Sequence, residues 1–171
     1  MPQDFNNPIL RTLHNVKGID VWVEKKQDLV TVQLTDSVET LVKRLSDNNI
    51  LSAPVLDDNK AFVGFVDYLD VMRHVLDVVP SIKDIHRDEL ATMKVAGRSI
   101  ALVEVKNVMN LSHNDAPVII SDQDHLGTAA KFFSSGIHRV AILSKEGELV
   151  GILSQSDLIR VLDQALLKGN C

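Results

Sequence analysis

GIHRVAILSKEGELVGILSQSDLIR, running from Gly136 to Arg160, is the stretch on which the fold turns. Val140 to Leu143 and Leu149 to Leu153 are short apolar runs rich in β-branched residues. Lys145, Glu146 and Gly147 between them have turn chemistry, so the pair predicts two strands joined by a tight turn. After Leu153 the period changes. Ser154 stands as a helix N-cap with Asp157 three residues on, a short-armed capping box. Leu158, Ile159, Val161, Leu162, Ala165 and Leu166 then recur at helical spacing.

The start of that helix also has chemistry to offer. Backbone N–H groups of a first helical turn favour an anion. Ser154 and Ser156 add hydroxyl donors. The ionised carboxylate of Asp157 only accepts hydrogen bonds, which suits the 2′ and 3′ hydroxyls of ribose. His138 and Arg139 fall at the start of the neighbouring strand, and arginine can grip a phosphate by two parallel bonds. Together these residues make a nucleotide site, or equally a capped helix after a β-hairpin, because capping boxes are common.

A chain of 171 residues is one compact domain or two small packed halves. Hydrophobic residues make up 45% and aromatics only 4%, so the core is aliphatic. A net charge of −5 argues against general nucleic-acid binding, which needs many phosphate-neutralising cations. The single cysteine, Cys171, can build neither a disulfide framework nor a zinc site, so a reducing compartment is expected. Met1 to Asn7 does not read as a signal peptide, and no apolar run is long enough to cross a bilayer. The expectation is a soluble cytoplasmic or nuclear protein. His14, His74, His86, His113 and His125 are scattered without metal-ligand spacing, so no metal site is expected. No nucleophile–base pair stands out, which makes an enzyme the weakest reading.

Taken in order, Ile9 to Val16 predict a helix, Ile19 to Val23 a short apolar patch holding Trp22, and Glu24 to Asp28 a charged turn. Leu29 to Leu34 predict a strand, and Thr35 to Ser37 cap a helix through Leu45. Ala53–Leu56 and Phe62–Val66 predict a second hairpin, and Asp67 to Asp70 open another helix. Residues 78–109 have weak periodicity, with Ala101 to Val105 open as a strand or a further helix, and are expected as an insertion or linker at the surface. Ala116 to Ile120 predict a strand and Leu126 to Phe133 a helix.

The two halves repeat each other. Gly64 to Asp70 lies over Gly151 to Asp157, an offset of 87 positions from 64 to 151. The register runs from Ile50 over Ile137 to Arg73 over Arg160. Each unit is strand, helix, strand, strand, helix. The expected segments are an N-terminal helix and lead-in (1–28), a first repeat (29–77), the insertion (78–109), a second repeat (110–167) and a tail (168–171).

On these motifs (an Ile-x-x-x-Pro/Ala-Val/Ile strand, a turn, Val-Gly and two apolar residues, then a polar residue with Asp three places later) the repeat resembles the CBS domain. The pair is similar to the tandem arrangement called a Bateman module. Ile137 to Asp157 is similar to the last repeat of the γ regulatory subunits of AMP-activated kinase. The resemblance implies an α/β fold of two CBS repeats related by a pseudo-twofold axis, each a small three-stranded sheet with two helices. It implies a regulatory module that senses AMP, ADP or ATP, with S-adenosylmethionine less favoured. Such a module signals occupancy to its own dimer or to a partner such as a protein kinase. Asp157 would hold ribose, and His138, Arg139, Ser154 and Ser156 the phosphates. Asp115, Ala116 and Val118 would lie against adenine. In repeat 1, Asp67 replaces the Ser or Thr, and Leu51-Ser52 replaces His-Arg. The cleft at Asp70 and Asp67 is therefore expected to be empty or to hold an uncharged adenosyl group. Asp157→Ala is expected to abolish binding while leaving the fold intact. The alternative is a non-catalytic interaction scaffold with mostly empty clefts.

Overall fold

A computed structural model describes residues 7–78, 97–111 and 117–169. They form two units, one of residues 30–78 and 97–111, the other of 7–29 and 117–169.

In the first unit, β1 (Val32–Gln33), β2 (Ser52–Leu56) and β3 (Phe62–Asp67) form a sheet in the order β1-β2-β3. β1 runs parallel to β2, and β3 antiparallel. Helices α3 (Val38–Asp47) and α4 (Tyr68–Val78) follow β1 and β3. The strand expected over Leu29–Leu34 shortens to two residues because Asp36 turns the chain. Its N–H donates to the Gln33 carbonyl at 3.0 Å, and its carboxylate accepts the Gln33 N–H at 2.8 Å. Arg44 Nη1 fixes that turn by donating to Asp36 Oδ2 at 2.7 Å and to the Thr31 carbonyl at 2.8 Å. α3 starts where the Ser37 hydroxyl accepts the Thr40 N–H at 3.1 Å, and it ends at Asn48, with Asn49 at φ 52°. Val32, Leu41, Leu45, Val55 and Val66 are sealed inside.

Residues 97–109, expected at the surface, help to close this core. Residues 97–102 are helical (α5), and Val105–Asn107 form one 3₁₀ turn. Ile100, Val105 and Val108 are buried against the sheet. The segment is cut into pieces too short for a periodic pattern to emerge, which is why its burial was illegible. Residues 79–96, the rest of the expected insertion, lie outside the described residues.

The second unit repeats the plan. β4 (Ile119–Ser121) is parallel to β5 (Arg139–Leu143), and β6 (Leu149–Ser154) is antiparallel to β5. Helices α6 (Leu126–Ser134) and α7 (Gln155–Gly169) follow β4 and β6. The hairpin turn needs Gly147, which sits at φ 85°. To this plan the N-terminal segment adds α1 (Pro8–Asn15) and α2 (Gly18–Glu24), the latter in place of the apolar patch at Ile19–Val23. Val21 is buried with Ile120, Leu126, Val140, Ile142 and Leu153.

The two units share one wiring. Lys17 bridges His125, Gly18 N–H donates to the Asp124 carbonyl at 3.0 Å, and Leu126 N–H donates to Val16 at 2.9 Å. In the other unit Ser37 bridges Glu104, Val105 N–H donates to Asp36 at 2.8 Å, and Val38 N–H donates to Val103 at 2.8 Å. In each unit, then, the short segment leading into one repeat docks on the sheet of the other. Full burial of a valine such as Val21 is worth about 1.5–3 kcal/mol.

Candidate functional site

The hairpin register decides which side chains meet at the start of α7. Arg139 pairs with Ser154, and Val140 with Leu153. Side chains directly opposite in an antiparallel pair share a face. Val140 and Leu153 point into the core, so Arg139 and Ser154 share the other face. Repeat 1 has the same register with different chemistry, Ser52 opposite Asp67. A cation faces a hydroxyl in one unit; a hydroxyl faces a carboxylate in the other.

The capping box is formed. Asp157 Oδ2 accepts the Ser154 N–H at 2.9 Å and the Ser154 hydroxyl at 2.7 Å, while the Asp157 N–H reaches Ser154 Oγ at 3.4 Å. Ser154 Oγ and Ser156 Oγ are 3.1 Å apart, so both hydroxyls gather at the helix start. Asp157 is only 7% exposed. In repeat 1, Asp67 Oδ1 accepts the N–H groups of Leu69 (2.8 Å) and Asp70 (3.0 Å), and Asp70 Oδ2 accepts the Asp67 N–H at 3.0 Å. Asp70 and Asp157 are the buried charged side chains among the described residues.

His138 lies before β5, so strict alternation begins only at Arg139. The turn ahead of it contains Gly136 at φ 95°. The His138 carbonyl accepts the Gln155 N–H at 3.1 Å, and its ring Nδ1 is 3.4 Å from Gln155 Oε1. Gln155 Nε2 donates to the Ile137 carbonyl at 3.0 Å. Gln155 thus ties the His138 backbone to the first turn of α7, and both His138 and Arg139 flank the β6–α7 junction. Of the residues expected against adenine, Val118 leans on the core and its carbonyl accepts the Ala141 N–H at 2.9 Å. Asp115 and Ala116 lie outside the described residues.

Two site residues escaped the sequence reading. Lys25 Nζ lies 2.7 Å from Asp157 Oδ2, with the lysine side chain 16% exposed. The same ammonium sits 4.9 Å from the centre of the Trp22 ring, a cation–π distance. Trp22 in turn presses on Gly151, where a Cβ atom would stand 2.7 Å from its Cγ. Arg160 Nη2 approaches Asp157 Oδ1 at 3.5 Å. The sequence holds one hint, a lone tryptophan in a segment otherwise short of aromatics, but nothing in it links Lys25 with Asp157.

Among the described residues, no cluster of three or more His, Cys, Asp or Glu could hold a metal ion. No helix among them is long and apolar enough to cross a membrane. A groove of about 230 Å³ between α1, α2 and α7 is lined by Asp20 and Glu24 and by none of the candidate residues.

Comparison with known proteins places this geometry in a family. Residues 18–77 and 105–164 each match the CBS domain. The chloroplastic CBS domain-containing protein CBSX1 of Arabidopsis thaliana is 24% identical over 165 residues, covering 91% of this chain and 68% of that protein. Protein sds23 of Neosartorya fischeri is 28% identical over 147 residues; the match takes in 81% of this chain but only 27% of that longer protein. Among solved structures, CBSX2 in complex with AMP superposes with a TM-score of 0.61 at 22% identity, covering 88% of this chain and 98% of that one. The CBS domain of a bacterial CNNM/CorC family Mg²⁺ transporter in complex with ATP gives 0.62 at 12% identity, covering 91% and 92%. The structural likenesses are of fold, and CBS modules are regulatory rather than catalytic. Two copies of the matched domain, each a three-stranded sheet with its capped final helix, establish that the chain belongs to the CBS domain family as a tandem pair.

Proposed function

We propose that the chain is a regulatory module that binds one adenine nucleotide, AMP, ADP or ATP, at the start of α7. The observation that carries this reading is the register that sets Arg139 across from Ser154, beside the buried carboxylate of Asp157. Asp157 is the ribose acceptor; Ser154, Ser156, His138 and Arg139 are the phosphate donors. Asp115, Ala116 and Val118 are assigned to adenine on the family resemblance alone. The fold is shared with CBS proteins solved with AMP and with ATP, which supports the ligand class. The equivalent place in repeat 1 offers Asp67 and Asp70 with Ser52 opposite, and two carboxylates repel a phosphate. That side is empty or takes an uncharged adenosyl group.

A ligand that binds only the native state raises the melting temperature. The chain is screened with AMP, ADP, ATP, S-adenosylmethionine and NAD. A rise with an adenine nucleotide is expected; no rise with any of them contradicts the reading and favours an interaction scaffold. Occupancy passes to a second copy or a regulated partner only if ligand and partner prefer the same conformation. Leu69, Met72 and Leu76 on α4 are more than half exposed at helical spacing, which supports a homodimer. A monomer mass by sedimentation contradicts the dimer. Energy sensing through a kinase rests on the similarity of repeat 2 to the kinase γ subunits.

A further inference from the structure

We propose that Lys25 is a latch on Asp157 that makes this site select phosphorylated adenosine over adenosine itself; the inference rests on the nucleotide reading above. Asp157 Oδ2 already meets three donors, the N–H and hydroxyl of Ser154 and the ammonium of Lys25, at 2.7–2.9 Å. A carboxylate oxygen offers two lone pairs, so it is saturated. The Ser154 N–H is held in the cap and stays; the Ser154 hydroxyl can turn to Ser156 Oγ, 3.1 Å away, but the N–H and Lys25 still fill both lone pairs. Lys25 is the donor that can go. Oδ1 is met by Arg160 Nη2 at 3.5 Å and has room for one hydroxyl, so a ribose diol that spans both carboxylate oxygens reaches Oδ2 only by displacing the ammonium.

Displacement is resisted from two sides. The ion pair is largely withdrawn from water, with side-chain exposures of 16% and 9%. The Trp22 ring backs the ammonium and is itself wedged against Gly151. A freed ammonium needs another anion. A phosphate bound beside Ser154 and Arg139 supplies one within reach of the flexible four-carbon stem. Adenosine supplies none, so its sugar must break the pair without compensation. Selectivity then comes from a cost imposed on the wrong ligand.

The lysine is also reported on directly, because Trp22 is the only tryptophan in the chain. The full chain, its Lys25→Met variant and its Lys25→Arg variant are titrated with adenosine and with AMP, by calorimetry and by tryptophan emission. Wild type is expected to prefer AMP and to change its emission on binding, as the ammonium leaves the ring. Lys25→Met is expected to lower the AMP-over-adenosine preference about tenfold or more, chiefly by tightening adenosine. Lys25→Arg keeps the charge and is expected to retain most of the preference. An unchanged preference in Lys25→Met, or AMP binding to wild type with no change in emission, overturns the latch while leaving the nucleotide site standing. Binding of neither ligand to any of the three proteins overturns the nucleotide reading and the latch with it. If Lys25→Met fails to fold, the wild-type emission decides.

Discussion

Asp157 Oδ2 caps a helix through Ser154 and pairs with Lys25, and it must also receive the ligand's sugar. The first two roles carry a consequence for mutation. Asp157→Ala, expected to leave the fold intact, carries a cost in stability. Removing the carboxylate strips the capping box and leaves a largely buried ammonium without its partner. A lost cap costs about 0.5–2 kcal/mol. Urea denaturation of Asp157→Ala is expected to show at least that loss in the unfolding free energy; an unchanged midpoint would mean that the cap and the pair contribute nothing. Asp157→Asn can still accept from Ser154 and is the better variant for binding studies. The residues at this helix start were legible in the sequence because capping is local: Ser154 and Asp157 are three positions apart. Lys25 was not, because its partner is brought close only by the docking of α2 on β6.

At the scale of elements, that docking turns on a glycine. Trp22 of α2 packs so closely on β6 that a methyl group at Gly151 would meet its Cγ at 2.7 Å and Cδ1 at 2.8 Å. Gly151→Ala must push the indole away, at a cost of about 1–3 kcal/mol for overpacking. Chemical denaturation is expected to show that loss, together with altered tryptophan emission in the native state. A variant with wild-type stability and emission would show that α2 is not held there. Strands β2, β3, β5 and β6 and helices α3, α4, α6 and α7 could be read from alternation, turn residues and caps. β1 was overextended, since the Asp36 turn that truncates it is held by Arg44 from the next helix. The burial of α5 and the 3₁₀ turn was missed because neither is long enough to display a period.

At the scale of the molecule, the exchange of lead-in segments makes the two units unequal in sequence. The unit built on repeat 1 is continuous, residues 30–114, and contains the segment that completes its core. The unit built on repeat 2 needs residues 1–29 in addition to 115–171. A fragment of residues 30–114 is therefore expected to show a cooperative thermal transition, whereas 115–171 alone is expected to melt without one and to recover it when mixed with 1–29. Independent folding of 115–171 would refute the dependence on Val21 and Trp22. The repeat itself was plain from the 87-residue offset, and with it the pair of sheets. The exchange was hidden because the offset says which segments are equivalent and not where each one packs.

A single nucleotide site at Asp157 can be tested by isothermal titration of AMP and ATP into the full chain, Asp157→Asn and Asp70→Asn. One nucleotide per chain is expected in the wild type, with binding weakened at least about tenfold in Asp157→Asn and wild-type affinity in Asp70→Asn. No binding heat in the wild type, or equal losses in the two variants, would contradict it.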